Sequence, residues 1–256
     1  RARRLVTDMI ANHPDGHGEL VTELSGPLPL QVICDMMGIP EADHQQIFHW
    51  TNIILGFGDP DLTTDFEEFM KVAIDIGGYA TALVEDRRAN PRDDLTTALV
   101  AAEVDGESLT SAEIASFFIL LAIAGNETTR NAISHGVLAL TRYPEQRAIW
   151  WTDFDAHAQT AVEEIVRWAS PVVYMRRTAT RDVEVNGVRI AKDDKVTLWY
   201  ASANRDEEKF DNPWLFDVTR TPNHHVGFGG GGTHFCLGAN LARREIAVVF
   251  EELRNR

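Results

Sequence analysis

One cysteine in this sequence lies in a loop built largely of glycine. Residues 228–238 read Phe-Gly-Gly-Gly-Gly-Thr-His-Phe-Cys-Leu-Gly, and the segment from Asn240 onward has the pattern of a helix start. Four successive glycines let the backbone pass close to a wide, flat group. The N–H groups at the start of a helix lower the pKa of a thiol, so we expect Cys236 to be a thiolate that binds metal.

The type of metal follows from the number of ligands. The chain has two cysteines, Cys34 and Cys236, far apart in sequence, whereas structural zinc needs four closely spaced Cys or His ligands. A single thiolate suits haem iron. A nucleophilic cysteine would need a His base with an orienting partner, and His234 does not fit that arrangement. A cysteine that only fills a core would explain neither the glycines nor Phe228 and His234.

The end of this loop resembles that of the cytochrome P450 haem-thiolate monooxygenases. In that family the loop ends in His or Arg, any residue, Cys, any residue and Gly, which His234, Cys236 and Gly238 match. The resemblance implies haem b bound through Cys236. The family's usual Phe falls at Gly229 here, with Phe228 one residue earlier, and a subset of actinobacterial members that oxidise steroids and branched lipids looks similar.

A second motif lies in a helical segment that is apolar on every side. Residues 116–125 predict a helix that is buried all round and too short to span a bilayer, yet Glu127 and Thr128 follow directly. Buried polar groups need a reason. Taken alone, Thr128 would bond to the carbonyl one turn earlier, and Glu127 would pair with Arg130.

Beside Cys236, these residues resemble the oxygen-binding helix of the family. The resemblance implies that Ala124 and Gly125 make room over the iron while Glu127 and Thr128 deliver protons by general acid catalysis. It therefore implies a monooxygenase that uses O₂, two electrons and two protons. The alternatives are a non-catalytic haem-binding or sensing module and a peroxide-driven enzyme, neither of which needs this relay. A further alternative is that this chain by itself is an inactive fragment of the same fold.

A third motif pairs an acid with a base on one helical face. Glu164 and Arg167 lie at positions i and i+3 and can touch. They resemble the family's Glu-x-x-Arg helix, and residues 211–220 resemble the meander that follows it. By this resemblance Arg220 completes a three-residue ionic network, which we expect to be structural.

An extended segment follows this helix at residues 170–178. Its arginines suit a carboxylate, and the resemblance implies that Arg177, together with His234, binds a haem propionate. Arg176 is the competing choice, and the sequence leaves the two open. We expect an apolar pocket for steroid, fatty or terpenoid substrates, lined by Val172, Val173, Tyr174, Leu121 and Phe117.

The remaining pattern predicts mainly α structure with small β-sheets, an α+β cytochrome P450 fold. We expect one partial domain over 1–256, divided into a helix-rich part (1–170), a small-sheet region (171–200) and a meander, cysteine loop and final helix (201–256). Helices are predicted at 38–54, 65–88 and 110–141, a hairpin at 183–190 with its turn at Asn186-Gly187, and a strand at 195–199.

Two apolar faces complete the expectations about the fold. In the helix at 65–88 the apolar positions are Phe66, Phe69, Met70, Ala73, Ile74 and Gly77. In the last helix the apolar face formed by Ile246, Val248, Val249 and Phe250 still needs partners. Because of this face, and because the chain begins at Arg1, we expect it to be incomplete at the N-terminus and at the C-terminus.

Charge and composition bear on partners and compartment. The net charge is -15, with 24 Lys and Arg against 39 Asp and Glu, which argues against nucleic acid or anionic membrane. Two cysteines and no signal segment fit a bacterial cytoplasm. Arg243 and Arg244 are predicted to dock an acidic ferredoxin, which with its reductase carries electrons from NAD(P)H. Alternatively, the two arginines are solvated or pair with Glu245 and Glu251.

Overall fold

The computed structural model describes residues 1–60 and 65–256. Contacts divide the chain into two compact units, residues 1–130 and 131–256, and the boundary falls within one long helix, α6. Helices dominate the described residues, and the β-structure consists of small two-stranded sheets, which confirms the predicted fold class. In the described part of the chain, no helix has the length and apolarity needed to cross a membrane.

Among the described residues of the first unit, the elements are helical apart from one short hairpin. Its elements are α1 (Ala2–Asn12), a short π-helix (Val21–Ser25), α2 (Pro27–Met37), a 3₁₀ turn (Glu41–Asp43), α3 (His44–Gly56), α4 (Phe66–Ala89), α5 (Leu95–Ala101), β1 (Glu103–Val104), β2 (Glu107–Ser108) and the first part of α6 (Ser111–Arg142). The helices bury a common apolar core that includes Leu24, Leu30, Met37, Ile47, Ile76 and Phe118.

The start of α3 differs from the prediction. Gly38 ends α2 in a left-handed conformation (φ 74°), with its N–H directed to the carbonyl of Asp35, rather than starting a helix. This is a frequent role for glycine at a helix C-terminus, because it lacks the Cβ that disfavours positive φ. The 3₁₀ turn then leads into α3, whose end at Gly56 is close to the prediction.

Helix α4 confirms the predicted range but turns the other face inward. Asp65 caps it by accepting hydrogen bonds from the N–H groups of Glu67 and Glu68. The buried stripe contains Val72, Ile76, Ala80, Leu83 and Val84, whereas Phe66, Met70 and Ile74 are exposed. The predicted apolar face was therefore wrong, because α4 has apolar residues on more than one side and the tertiary contacts select one of them.

Helix α6 confirms the predicted helix at 110–141, but the prediction that it is buried all round was wrong. Ile114, Phe118 and Ala122 are buried, while Leu120 is 57% exposed and Ser116 and Ala124 are also exposed. Residues four apart share a helical face, so the exposed positions form one stripe. Within the first unit, α6 therefore has one open face beside its buried one.

The second unit combines the end of α6 with four helices and two small sheets. The elements are α7 (Pro144–Thr152), α8 (Phe154–Ala169), β3 (Tyr174–Thr178), β4 (Val183–Val185), β5 (Val188–Ile190), β6 (Lys195–Trp199), α9 (Tyr200–Ala203) and α10 (Ala239–Arg254). Strands β3 and β6 pair antiparallel, with Tyr174 opposite Trp199. The hairpin β4–β5 turns at Asn186 (φ 48°) and Gly187 (φ 77°), as predicted.

The apolar face of α10 is covered within the second unit. Ile246, Val249 and Phe250 are buried, and the Phe250 ring lies 5.1 Å from that of Trp150. A Cβ at Gly136 would lie 2.7 Å from Cζ of Phe250, so glycine there lets the ring approach α6. The prediction that this face lacks partners was wrong, because its partners on α6 and α7 are distant in sequence.

Candidate functional site

Cys236 lies at the end of a loop made of tight turns. Its N–H donates to the carbonyl of Phe228 (2.9 Å), and its carbonyl accepts from Ala239, the first residue of α10 (3.3 Å). Gly229, Gly231 and Gly232 have φ values of 94°, 92° and 78°. Residues that carry a Cβ rarely adopt such φ values, so the backbone of this loop requires glycine at these positions.

The surface around Cys236 is open and apolar. The Cys236 thiol is exposed, Phe235 is 46% exposed and Leu237 is 76% exposed. A Cβ at Gly230, Gly231, Gly232 or Gly238 would meet nothing within 4 Å. A broad apolar group can therefore approach the sulfur without meeting side chains from the glycine loop.

The other cysteine, Cys34, is buried, in contrast to Cys236. Cys34 is fully buried on α2, and burial, followed by the charge of Asp35, raises the pKa of its thiol to about 12. It therefore remains protonated and cannot serve as a thiolate ligand.

Three exposed side chains of the second unit that can donate hydrogen bonds lack a carboxylate partner in the described part of the chain. Among residues 1–60 and 65–256, neither Arg176, Arg177 nor His234 forms an ion pair with a carboxylate, and an Arg177 N–H donates to the Arg176 carbonyl (3.0 Å). Arg176 and Arg177 are neighbours on β3, so they point to opposite faces of the sheet. A single bound carboxylate can therefore accept hydrogen bonds from Arg176 or from Arg177, but not from both.

The donor set fits haem iron. In the described ranges, no group of three or more His, Cys, Asp or Glu side chains is arranged to hold a metal ion. One exposed thiol beside an apolar surface would suit an iron whose other ligands come from its own macrocycle. The guanidinium groups of Arg176 and Arg177 and the imidazole ring of His234 can donate hydrogen bonds to the carboxylates of such a group.

Glu127 and Thr128 make the local contacts that their positions permit in the first unit. Thr128 Oγ1 donates to the Ala124 carbonyl (2.8 Å), and Glu127 forms an ion pair with Arg130. Arg130 also donates to Oδ1 of Asn52 (3.3 Å), and burial lowers its pKa. Glu127 and Thr128 are both half-buried. The two interactions considered from sequence alone are therefore present.

The small residues of this motif have separate surroundings. Ala124 lies on the exposed stripe of α6, whereas a Cβ at Gly125 would lie 3.0 Å from Cδ1 of Ile33. Gly125 therefore lets α2 approach α6. Asn126, which sequence reasoning did not single out, is 1% exposed and reaches Oγ1 of Thr51 (3.5 Å).

The predicted pocket residues divide between the two units. Phe117 and Leu121 are half-buried on α6. In the second unit Val172 is half-buried, while Val173 and Tyr174 are exposed, with the Tyr174 ring 5.0 Å from that of Trp199. Val173 lines an open cavity of about 490 Å³ together with Ala169, Ser170, Ala201, Ser202, Arg205 and Trp214.

Glu164, Arg167 and Arg220 lie together, as expected. Arg167 donates to both carboxylate oxygens of Glu164 at 2.7 Å, and Arg220 donates at 3.0 Å. The side chains of Glu164 and Arg167 are completely buried. The arginines also donate to backbone carbonyls of the meander, including those of Pro213 and Leu215. The network joins α8 to the meander.

A second network, which was not predicted from the sequence, is centred on Glu163, the residue of α8 that precedes Glu164. Glu163 accepts from His225 (2.8 Å) and from Arg243 (2.5 Å). Burial raises the pKa of Glu163, but the bonds from His225 and Arg243 outweigh it and lower the pKa to about 2. The alternative that Arg243 pairs with Glu245 or Glu251 is wrong, because its guanidinium group binds Glu163. Arg244 is exposed.

Glu245 provides a contrasting carboxyl group on α10. It is 7% exposed, and its Oε1 has no hydrogen-bond partner in the described part of the chain. Burial raises its pKa to about 7 because the charged form loses solvation without gaining a donor.

Comparisons with known proteins show which family the chain is similar to. A family model described as cytochrome P450 matches residues 36–149 and 157–253. The chain is 74% identical over 254 residues to a methyl-branched lipid omega-hydroxylase of Mycobacterium tuberculosis, covering 99% of this chain and 59% of that protein. It is 44% identical over 253 residues to a steroid C26-monooxygenase of Rhodococcus jostii, covering 99% of this chain and 52% of that one.

Solved structures give the same correspondence. A Mycobacterium marinum cytochrome P450 in complex with pseudoionone superposes with a TM-score of 0.93 at 44% identity, covering all of this chain and 62% of that one. A Bacillus megaterium protein in complex with testosterone superposes with a TM-score of 0.88 at 35% identity, covering 100% and 69%. The chain thus spans less than two thirds of the two curated relatives.

Proposed function

The chain belongs to the cytochrome P450 family, and we propose that the protein is a haem-thiolate monooxygenase with Cys236 as the iron ligand. The exposed Cys236 thiol, beside left-handed glycines and at the start of α10, is the observation that supports this most directly. Haem b bound through this thiolate supplies the activation of O₂, in which two electrons and two protons give a hydroxylated substrate and water.

Arg177 and His234 are proposed to hold the haem propionates, with Arg176 as the alternative to Arg177. In the part of the chain that the structure describes, these side chains have no carboxylate partner, so binding does not require an existing ion pair to break. Charge-assisted bonds from guanidinium to carboxylate are strong and directional. Phe228, Gly229 and Gly238 are proposed to lie along the macrocycle, and the lack of any atom within 4 Å of a Cβ at Gly238 supports this at one of the three positions.

Glu127 and Thr128 are proposed to move protons towards the reacting oxygen. Thr128 uses its own proton in the bond to the Ala124 carbonyl, which leaves its oxygen able to accept a hydrogen bond. Rotation of the hydroxyl can then pass a proton onward. The Glu127 side chain is 28% exposed, so water can reach its carboxylate and deliver protons to the relay. Ala124, on the exposed stripe of α6, is proposed to leave space beside this relay, whereas the space at Gly125 is taken by Ile33 of α2.

The substrate is proposed to be a methyl-branched lipid that is hydroxylated at its omega carbon. The relative of that description is 74% identical. Phe117 and Leu121 in the first unit, and separately Val172, Val173 and Tyr174 in the second, are the apolar residues proposed to contact a lipid chain. A steroid is the second candidate, because the steroid C26-monooxygenase relative is 44% identical. Incubation with each class, followed by mass spectrometry for the gain of one oxygen, separates the two.

Electrons are proposed to come from NAD(P)H through a ferredoxin and its reductase, in the cytoplasm. Arg244 is exposed on α10, the helix that begins just after Cys236, and suits an acidic partner. Arg243 is engaged by Glu163, so Arg244 is the better residue for a charge-reversal test of reduction by ferredoxin.

The first experiment tests ligation by Cys236. The intact haem-loaded protein is reduced with dithionite, exposed to CO and compared with its Cys236→Ser variant. A strongly red-shifted Soret band in the parent, lost in the variant, is the expected result. Bound haem without that shift in the parent would contradict the proposed ligation and the function built on it.

A second experiment tests the proton relay. We expect Thr128→Ala to release more peroxide per electron consumed, because the hydroxyl no longer passes protons. Thr141→Ala is the matched control, since Thr141 also lies on α6 and donates to the carbonyl four residues earlier (2.8 Å). Equal ratios of peroxide to product in both variants would remove Thr128 from the relay.

A further inference from the structure

The segment that enters the cysteine loop lies close to α8. A Cβ at Gly227 would lie 2.6 Å from Cγ1 of Val166, so only glycine fits without displacing that side chain. The N–H of Val226 donates to Oδ1 of Asn204 (2.8 Å). The chain is therefore held immediately before Phe228, whose carbonyl bonds to the amide of Cys236.

His225 links this segment to Glu163 in a defined tautomer. The N–H of Gly227 donates to Nδ1 of His225 (3.1 Å), so Nδ1 is the acceptor and the ring proton lies on Nε2. Nε2 then donates to Oε2 of Glu163 (2.8 Å). The His225 side chain is 3% exposed, which protects this bond from competition by water.

Arg243 connects the same carboxylate to the aromatic ring that precedes the glycines. Its Nε donates to Oε1 of Glu163 (2.5 Å), and its Nη2 donates to Oε2 (3.2 Å). The guanidinium carbon lies 4.4 Å from the centroid of the Phe228 ring, within the range of a cation–π interaction. The His225 ring lies 5.8 Å from the same ring. Phe228 is thus contacted by both partners of Glu163.

We propose that Glu163, His225 and Arg243 are positioning residues that hold Phe228, and through its carbonyl the amide of Cys236, in the conformation that presents the sulfur to iron. The role in iron binding rests on the proposed function. Three left-handed glycines give the loop many accessible conformations, and ordering them is entropically unfavourable. Contacts from α8 and α10 at the entry to the loop offset that loss.

Amide hydrogen exchange at Cys236 tests the clamp formed by Glu163, His225 and Arg243, with or without haem. The variants are Glu163→Gln and Arg243→Gln, and the control is Arg244→Gln on the adjacent exposed residue of α10. We expect about tenfold faster exchange in the two clamp variants and no change in the control, which corresponds to about 1.4 kcal/mol in the opening equilibrium. Exchange at the parental rate in both clamp variants would overturn the proposal.

The spectrum of the reduced CO complex tests the effect on iron ligation. We expect the ratio of unshifted to red-shifted Soret absorbance to rise about tenfold in both clamp variants, with parental haem content. The double variant should add little, because both residues act through one carboxylate. A red-shifted band in the parent that persists undiminished in both variants would overturn the role in ligation. A parent without that band would refute the proposed function, while the exchange measurement would still decide the clamp.

Arg243→Lys keeps the experiment decisive if Arg243→Gln does not fold. Lysine keeps the charge beside Glu163 but lacks the planar face over Phe228 and the forked donors. We expect intermediate exchange at Cys236 and partial loss of the red-shifted band. Parental behaviour of the Lys variant, together with unfolding of the Gln variant, would show that Arg243 serves only global stability and would refute the proposal.

Discussion

Helices α6 and α8 each place an arginine three residues after a glutamate, at Glu127–Arg130 and at Glu164–Arg167. On α8 both side chains are completely buried, whereas on α6 the glutamate is 28% and the arginine 19% exposed. Glu164 also accepts hydrogen bonds from Asp217, Arg220 and Asn223. Glu127 has a partner one helical turn away and remains within reach of water.

The difference shows that spacing creates the pair while its surroundings decide what the acid can do. A buried carboxylate bonded to several donors cannot change partners without disrupting the fold. A half-exposed carboxylate with a local partner can exchange its partner at little energetic expense. Glu164 therefore suits a structural role, and Glu127 suits the proposed proton relay.

The largest effect is expected when the α8 pair is broken. Arg167→Leu leaves the buried charge of Glu164 with fewer donors, and we expect the free energy of unfolding to fall by about 3 to 5 kcal/mol. Chemical denaturation followed by circular dichroism measures this change. The control is Arg189→Leu, which breaks an exposed pair with Asp182 and should leave the unfolding midpoint unchanged. Equal midpoints for the two variants would contradict the structural role of the α8 pair.

Glu245 separates burial from pairing, because it is buried like Glu164 but its Oε1 has no donor in the described part of the chain. Its pKa is raised to about 7 by burial, so its contribution to stability is fully present below about pH 4.5 and is lost as the pH rises through 7. We expect Glu245→Gln to change stability little at pH 4.5 and to increase it by at most about 3 kcal/mol at pH 8.

Denaturant unfolding at several pH values measures the Glu245 effect. Glu251→Gln is the control, since Glu251 lies on the same helix and is exposed. A stability difference between Glu245→Gln and the parent that does not vary with pH would refute a raised pKa as its cause.

The smallest effect is expected at the α6 pair. Glu127→Gln keeps an oxygen that can accept from Arg130, so we expect a loss of less than about 1 kcal/mol in unfolding free energy. The same denaturation experiment measures it beside Arg167→Leu. If the two losses were equal, the distinction between a structural and an exchangeable Glu-x-x-Arg pair would fail.

Local sequence patterns predicted much of the fold. The hairpin with its turn at Asn186-Gly187 and the strand at 195–199 were predicted as they occur, because turn chemistry and alternation act between near neighbours. The inward face of α4 was mispredicted, since apolar residues on both faces compete and only tertiary contacts choose between them. The exposed stripe of α6 was also mispredicted, because its apolar residues lie on every side and only tertiary contacts decide which of them are buried.

The candidate site divides in the same way. The sequence by itself determined the unusual loop around Cys236, the order of motifs and the spacing of Glu164 and Arg167, because these are properties of consecutive residues. Only the tertiary structure decided that Glu163 accepts hydrogen bonds from His225 and Arg243, while its neighbour Glu164 accepts one from Arg220. Adjacent residues on a helix point about 100° apart, so different distant segments reach each one, and no local pattern encodes which segment that will be.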